Sequence, residues 1–148
     1  ADSITGTAQS DSIDAGNGNN TIYAGSGGTD TVISGTGNDQ IYFTSTYTSA
    51  DTVDGGGGTD TLYLNGNYTG GATIGANVSN TEVVNLANNN SYNLTLNAAA
   101  SGVNTVDASG ISTGSVTVDA GAYTAALTVL GGVNADSIIG TAQSDSIS

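Results

Sequence analysis

The sequence predicts an all-β fold, in which a parallel β-roll continues into a wider parallel β-helix to form one elongated solenoid. Three observations predict it. An acidic or amide residue returns about every nine residues through the first sixty or so positions. A branched aliphatic residue stands two places after each of them, and runs rich in Gly, Asn, Ser and Thr separate them. No stretch of useful length has the apolar period of a helix.

The acid and amide ladder sets the length of each coil. Its members are Asp2, Asp11, Asn20, Asp30, Asp39, Asp51 and Asp60. The aliphatic residues that follow them are Ile4, Ile13, Ile22, Val32, Ile41, Val53 and Leu62. A turn and a very short strand make up each nonapeptide, so two nonapeptides close one coil of about eighteen residues. Stacked coils would bury the aliphatic side chains as a narrow core.

Stacking also brings the ladder residues of alternate steps together. One edge of the coil would carry Asp11, Asp30 and Asp51, and the other would carry Asp2, Asn20, Asp39 and Asp60. Two bare charges ~5 Å apart repel by roughly 3 kcal/mol at an effective dielectric constant near 20. Calcium removes this repulsion, because it accepts oxygens from carboxylates and from backbone carbonyls that glycine turns can aim inward. The alternative is that Asp and Asn only cap the turns.

Several turns follow a known nonapeptide pattern, G-G-x-G-x-D-x-U-x, in which U is a large aliphatic residue. Examples are Ser34–Asp39 and Gly55–Asp60. On these residues the chain resembles the RTX, or hemolysin-type, calcium-binding repeat family, over 1–63 and again over 135–148. The resemblance implies several Ca²⁺ ions and export by type I secretion to the cell surface or extracellular space. The candidate metal ligands are the seven ladder residues together with Asp136 and Asp145.

The composition fits a chain that binds cations. It has thirteen acids and no Lys, Arg or His, which gives a formal net charge of −13. Without cationic side chains it cannot neutralise nucleic-acid phosphates or hold to anionic lipids, so we expect neither nucleic-acid binding nor direct membrane insertion. Modest hydrophobicity with high charge favours disorder in the absence of metal. We therefore expect folding to depend on calcium.

The opening of the chain returns near its end. Residues 1–13 read ADSITGTAQSDSI and residues 135–147 read ADSIIGTAQSDSI, so the two copies differ only at Thr5 and Ile139. This predicts a tandem array whose copies join head to tail as one solenoid. We divide the chain into three parts: an RTX-like calcium β-roll at 1–64, a metal-poor β-helix-like segment at 65–134, and the start of the next tandem repeat at 135–148.

In the second part the nonapeptide pattern disappears while apolar alternation continues. Short strands are predicted around Val84, Leu94, Val106, Val116 and Leu127. Their spacing suits wider coils on the same stack, and a small separate β-sandwich is the alternative. Glu82 is most simply a solvated strand residue.

A second set of acids follows the strands, each preceded by Ile or Val: Asp14, Asp54, Asp107 and Asp119. We interpret them as the start of Asx turns, with extra calcium ligation as the alternative.

Three tyrosines fall on the outward position after the inward aliphatic residue of alternate nonapeptides. Tyr23, Tyr42 and Tyr63 should stack along one sheet, with Thr5 continuing the line. Such a row either stabilises the sheet by cross-strand packing or contacts a neighbouring molecule.

The function predicted from these features is structural. Residues 110–114 match the G-x-S-x-G pattern of hydrolases, but the chain has no histidine to accept the serine proton, so we expect no enzyme activity. We predict a calcium-stabilised repeat module of a large secreted bacterial surface protein, such as an S-layer, a filament or an adhesin stalk, that self-associates with identical or tandem copies. The alternatives are a recognition module that binds glycans or a surface, and the RTX tail of a secreted enzyme, which the 134-residue repeat disfavours.

Overall fold

Residues 1–148 are described by a computed structural model, in which every regular element is a short β-strand and all strand pairs are parallel. The strands are β1 Ser3–Thr5, β2 Ser12–Asp14, β3 Thr21–Tyr23, β4 Thr31–Ile33, β5 Gln40–Phe43, β6 Thr52–Asp54, β7 Thr61–Leu64, β8 Tyr68–Ile74, β9 Val78–Ser79, β10 Val83–Leu86, β11 Tyr92–Leu96, β12 Thr105–Asp107, β13 Val116–Asp119, β14 Thr128–Leu130, β15 Ser137–Ile139 and β16 Ser146–Ile147. The chain contains no helix with the length and apolar character needed to span a bilayer.

The strands form three sheets that wrap a single core. An eight-stranded sheet runs the whole length of the molecule in the order β1-β3-β5-β7-β10-β12-β14-β16. The rest of the coil is closed by two four-stranded sheets, β2-β4-β6-β9 and β8-β11-β13-β15. Because each coil adds a strand on top of the previous one, the chain is a β-solenoid, and the predicted all-β parallel architecture is confirmed.

The coils widen along the stack. Ser3 pairs with Thr21, eighteen residues on, whereas Thr105 pairs with Thr128, twenty-three residues on. In the narrow coils one residue per strand points inward, as Ile22 does between two outward neighbours. Strands β5, β7 and β10 of the long sheet have a second buried position, so that Phe43, Leu64 and Leu86 form an additional apolar row.

The sequence did not predict β8 and β9, and these strands mark where the core widens. The turn before β6 sends Tyr47 into the core, where its ring packs edge-on against Phe43. The Tyr47 hydroxyl donates to the Thr73 carbonyl at 3.0 Å and accepts from the Asn77 amide at 2.8 Å. These hydrogen bonds hold β8 beside the last coil of the roll. β8 is the first strand of the sheet β8-β11-β13-β15, to which each wider coil adds one strand.

The second part of the chain continues the same stack. Strand β10 pairs with β7 on one side and with β12 on the other, so a separate β-sandwich is excluded. The third part stacks in the same way, because β15 pairs with β13 and β16 with β14. Val129 is buried under Ile147. The residue boundaries of the three predicted parts stay a prediction.

Candidate metal centre

Each ladder residue stands at the end of a turn, immediately before a strand, and the ladder is hydrogen-bonded from coil to coil. The backbone N–H of five of the seven residues of the opening ladder donates to a side-chain oxygen of the ladder residue in the next coil. The distances are 2.8 Å for Asp2 to Asn20, 2.6 Å for Asn20 to Asp39, 2.8 Å for Asp39 to Asp60, 2.9 Å for Asp11 to Asp30 and 2.8 Å for Asp30 to Asp51. The structure therefore brings alternate ladder residues together on two edges, as the sequence predicted.

The glycines of these turns are required because successive turns stack backbone on backbone. Gly35 and Gly37 have φ values of 96° and 126°, in the left-handed region that glycine adopts without a steric cost. A Cβ on Gly35 would collide with the Gly16 carbonyl of the coil below, and one on Gly37 would lie 2.6 Å from the Gly18 carbonyl oxygen. Successive turns are thus packed closely, with the glycines of one turn against the backbone carbonyls of the turn below.

Two ladder carboxylates keep one oxygen without any partner. Asp39 and Asp60 are buried, their Oδ1 atoms accept the backbone N–H groups described above, and their Oδ2 atoms have no hydrogen-bond donor. Burial, together with the neighbouring charges of Asp39, Glu82 and Asp54, raises the pKa of Asp60 to about 6. The chain has no Lys, Arg or His to balance such an oxygen, so a proton or a metal ion must do so.

The turn of Asn20 shows where a cation would fit. Its Oδ1 accepts the Asp2 N–H, which leaves Nδ2 as the atom that faces the turn. Nδ2 lies 3.4 Å from each of three carbonyl oxygens, those of Ala15, Gly16 and Ser34. At Asn20, therefore, an amide N–H group faces three carbonyl oxygens. At a position with aspartate, a carboxylate oxygen would take the place of that amide, so four oxygens would face the same space. Calcium prefers oxygen-only surroundings of this kind.

Other ladder residues satisfy both oxygens without metal. Asp11 Oδ2 accepts the Thr7 N–H at 2.6 Å, and Asp145 Oδ2 accepts the Thr141 N–H at 2.6 Å. The Thr141 hydroxyl and the backbone N–H groups of Leu127 and Thr141 hold the pKa of Asp145 below its usual value. Both residues end the same turn sequence, GTAQSD, which lacks the second and third glycines of the repeat.

Two further ladder residues have the same kind of internal donor. Asp51 Oδ2 accepts the Thr48 N–H at 2.7 Å, and Asp136 Oδ2 accepts the Gly132 N–H at 2.8 Å. Their Oδ1 atoms accept the N–H groups of Asp30 and Val116. Asp30 resembles Asp39 and Asp60 rather than these residues, because only its Oδ1 accepts a hydrogen bond, which the Asp11 N–H donates. Burial raises the pKa of Asp30, and the charges of Asp51 and Asp11 add to that effect.

The interpretation of Glu82 as a solvated strand residue is wrong. Glu82 precedes β10 and occupies the ladder position after Asp60, whose N–H donates to Glu82 Oε2 at 2.8 Å. The signal was present in the sequence, because Val84 follows Glu82 by two places as Leu62 follows Asp60. The larger step of twenty-two residues concealed it.

The acids that follow the strands do form Asx turns. Oδ1 of each accepts the N–H two residues on, at 3.2 Å for Asp14, 3.1 Å for Asp54, 3.0 Å for Asp107 and 3.0 Å for Asp119. No three acidic side chains of the chain converge on one point. Any metal site here must therefore be built largely from main-chain carbonyls, with one or two carboxylates.

The three tyrosines stack as predicted. The ring centroids of Tyr23 and Tyr42 are 5.0 Å apart, and those of Tyr42 and Tyr63 are 4.4 Å apart with planes only 7° from parallel. Tyr23 is 44% exposed. We call these three residues the tyrosine row. Beside it lies an open groove of about 300 Å³, bounded by the rings of Tyr23 and Tyr42 and by the turn at Gly25 and Ser26.

The comparisons with known proteins agree with this geometry. The family model described as the RTX calcium-binding nonapeptide repeat (4 copies) matches residues 1–28, 25–42 and 46–67. These ranges contain all seven residues of the opening ladder. No curated protein and no solved structure matches the chain. RTX repeats are typical of secreted, extracellular bacterial proteins, and their β-solenoid is a calcium-binding structural fold. Residues 1–67 therefore contain RTX calcium-binding nonapeptide repeats.

Proposed function

We propose that this chain is a calcium-stabilised structural module of a large bacterial surface protein, such as an S-layer, a filament or an adhesin stalk, which assembles outside the cell. The observation that carries the proposal is the pair of buried, unpartnered carboxylate oxygens at Asp39 and Asp60 in a chain with no cationic side chain. Outside the cell, where calcium is millimolar, even weak oxygen sites fill. The same chain inside the cell would remain poorly ordered, which suits export before folding.

We further propose that the ions bind at the glycine turns. Asp30, Asp39 and Asp60 end turns rich in glycine and keep one carboxylate oxygen free of hydrogen bonds. In the turns of Asp11, Asp51, Asp136 and Asp145 a backbone N–H already occupies the second oxygen. Asn20 places an amide where the ion would lie, and Asp2 is exposed at the first coil.

Native mass spectrometry of the calcium-loaded chain tests this assignment. Asp30→Asn and Asp39→Asn should each lower the number of bound ions, because each replaces a charged oxygen with an amide, as at Asn20. The matched control is Asp11→Asn, which changes a threonine turn and should leave the number unchanged. An equal loss in all three variants would contradict the assignment to glycine turns.

Self-association is the second part of the proposal, and the tyrosine row supports it. Three stacked rings form a rigid apolar strip on the surface of the long sheet, and such patches on soluble proteins commonly mark contact sites. Tandem copies supply a second contact, since residues 135–148 repeat the opening of the chain and stack directly on β13 and β14. In a solenoid each repeat packs on its neighbours in this way.

Sedimentation of the chain in calcium tests the role of the tyrosine row. Replacing Tyr23, Tyr42 and Tyr63 together by Ser should weaken association while the monomer keeps its calcium-bound circular dichroism. The matched control replaces Thr21, Gln40 and Thr61 by Ser, because these residues precede the inward aliphatic residue on the same three strands. If the tyrosine variant associates as well as the control, the row is only sheet packing.

A recognition function is the second candidate, and the groove beside the tyrosine row favours it. Tyr23 and Tyr42 offer ring faces, and Thr44, Ser26 and Asn65 offer polar groups on the other walls. A sugar ring could stack on the tyrosines while its hydroxyls bond to these groups. Glycan-array binding that the Tyr42→Ser variant abolishes would favour this function, and the absence of any glycan signal would remove it.

A further inference from the structure

The repeated opening of the chain occupies two different places in the coil. Strand β1 reads SIT and strand β15 reads SII, yet β1 pairs with β3 in the eight-stranded sheet and β15 pairs with β13 in a four-stranded sheet. Strands β2 and β16 both begin with Ser-Ile, and they differ in the opposite sense. β2 lies in a four-stranded sheet with β4, whereas β16 is the last strand of the eight-stranded sheet. The two copies of this sequence therefore lie half a coil apart around the solenoid axis.

The residue count gives the same offset. One line of paired residues runs along the eight-stranded sheet from position 3 to position 146, through seven coils and 143 residues. The sequence repeat, from Ala1 to Ala135, is 134 residues long. It is nine residues shorter than the seven coils, and nine residues are one nonapeptide, or half a coil of the roll. One repeat therefore spans about six and a half coils.

The cause of the half-coil offset is the pair of strands between the roll and the wider segment. Every other coil holds one strand opposite the eight-stranded sheet, but the coil between β7 and β10 holds two, β8 and β9. Strict alternation would return the fifteenth strand to the eight-stranded sheet, in line with β1. The additional strand shifts the alternation by one, so β15 falls on the other side. Tyr47 fixes this arrangement, because its buried hydroxyl bonds to Thr73 in β8 and to Asn77 just before β9.

The last coil closes in the same way as the first coil of the roll. Ile138 lies nine residues after Val129 and nine before Ile147, as in an eighteen-residue coil. Asp136 and Asp145 accept backbone N–H groups of the preceding coil at 3.0 Å and 2.9 Å, as the ladder residues of the roll do. Strand β15 therefore lies across the core from β14 and β16, and the join to the next copy starts as an ordered coil.

This offset decides where the tyrosine row of the next copy lies. Thr5 pairs with Tyr23 one coil later, and Ile139 is the residue of the repeated segment that corresponds to Thr5. Ile139 lies on the sheet β8-β11-β13-β15, paired with Asp119, and is 54% exposed. In a tandem array the tyrosine that corresponds to Tyr23 would therefore pair with Ile139. The next row would extend along this sheet, on the side of the solenoid opposite the row of the first copy.

We propose that successive copies of the tandem array are related by about half a turn around the solenoid axis, so that their tyrosine rows face alternately to two opposite sides. The partner of each row is the row of another copy of this chain. This inference rests on the self-association proposed above and adds its geometry. A rod with rows on two sides binds a neighbour on each side, so lateral association is open-ended and gives a sheet of rods.

The half-turn also sets a repeat distance along the rod. Neighbouring strands of a sheet lie about 4.8 Å apart, so one copy rises by about 31 Å. Rows on one side of the rod then recur every second copy, or about every 62 Å. Copies that stacked without the half-turn would repeat their rows at every copy, on a single side.

Disulfide trapping in the full chain tests the half-turn, because the chain has no cysteine of its own. Thr117→Cys with Ser137→Cys should cross-link under mild oxidation in calcium, since these positions are paired on β13 and β15 and adjacent strands are close enough for a disulfide. Thr128→Cys with Ser146→Cys, on β14 and β16, is the matched positive control. Thr128→Cys with Ser137→Cys should not cross-link, because β14 and β15 lie on opposite sides. Cross-linking of position 137 to position 128, or to neither, would overturn the half-turn.

Sedimentation velocity of a two-copy chain, residues 1–134 followed by residues 1–148, tests the two-sided association. In calcium the intact two-copy chain should form assemblies that grow with concentration. Replacing Tyr23, Tyr42 and Tyr63 by Ser in the second copy alone should stop association at pairs. An intact two-copy chain that also stops at pairs would overturn the inference, because rows on one side close on each other. Loss of all row-dependent association, with the disulfide between positions 117 and 137 intact, would overturn the self-association proposed above and leave the half-turn in place.

Discussion

The roll and the wider segment differ in what stands at the end of each turn. In the roll the last turn residue is a buried carboxylate or amide, as at Asn20, Asp39 and Asp60. In the wider coils the corresponding positions at β11, β13 and β14 hold the apolar side chains of Tyr92, Val116 and Leu127, and these are buried too. The two regions share one stack and one register.

The difference shows two ways to stabilise the same buried position. A coil of about eighteen residues has room for only one inward apolar residue per strand. The buried space at its turns is therefore filled by carboxylate and carbonyl oxygens, which need a cation. A coil of twenty-two residues has a longer perimeter and a wider core, so an aliphatic or aromatic side chain can fill the turn. Burying such a side chain contributes about 1.5–3 kcal/mol and needs no ion. The roll should therefore depend on calcium and the wider segment on packing.

The largest effect should come from removing a central ladder carboxylate. In calcium, Asp39→Ala should lower the free energy of unfolding by about 3 kcal/mol, because it loses the ion and leaves the Asn20 N–H without its acceptor. In chelator the loss should be much smaller. The matched packing variant is Leu94→Ala, which should cost about 2–5 kcal/mol with or without calcium. Denaturant unfolding measures both, and equal calcium dependence of the two variants would remove the distinction between the regions.

The pH dependence of the melting temperature should have opposite signs in calcium and in chelator. The pKa of Asp60 is about 6 in the folded chain, above its ordinary value of 3.8, and the pKa of Asp30 is also raised. A raised folded-state pKa favours folding below the ordinary pKa, and that stability is lost as the pH rises toward 6. In chelator the melting temperature should therefore be higher at pH 4.5 than at pH 7.

In calcium the melting temperature should be higher at pH 7 than at pH 4.5, because the metal competes with protons for the same oxygens. Asp60→Asn is the control, since it removes the group with the largest shift and should flatten the pH dependence in chelator. A calcium-free chain that loses stability on acidification from pH 7 to pH 4.5 would contradict the assignment of buried, charged oxygens.

The smallest effect should be at the seam between copies. The first coil of the chain is only partly covered, since Ile4 is half-buried, whereas the repeated segment at 135–148 stacks on β13 and β14. In a tandem dimer, amide exchange at the internal ADSI segment should be slower than at the free first coil. Equal and rapid exchange at both places would mean a flexible joint in place of a continuous solenoid.

The coil register could be predicted from the sequence, because a period of nine in Ile, Val and Leu permits only one inward face. The stacking of Tyr23, Tyr42 and Tyr63 follows from the same period. The state of each carboxylate could not be predicted in this way. In the turn of Asp11, the Thr7 N–H points at the carboxylate and occupies its second oxygen. In the turn of Asp39, the residue at the same place is Gly35, whose positive φ turns the backbone differently, and the second oxygen stays free.

The strands β8 and β9, between the roll and the wider segment, could not be predicted from the sequence for a related reason. β8 begins at Tyr68 and contains two adjacent glycines, which interrupt the apolar alternation and cause a register shift against β11. The core position of Tyr47 depends on the space that β8 and β9 create. The ladder position of Glu82 becomes visible only from the pairing of β10 with β7.

Regional hydrogen exchange in calcium and in chelator separates a roll that is ordered by calcium from a wider segment that is ordered by packing. Chelation should remove protection from the strands β2 to β7, whose turns carry the ladder carboxylates. Strands β11 and β13, which begin with buried apolar side chains, should keep most of their protection. Protection that is unchanged throughout in chelator, or a loss confined to the wider segment, would mean that calcium does not order the roll.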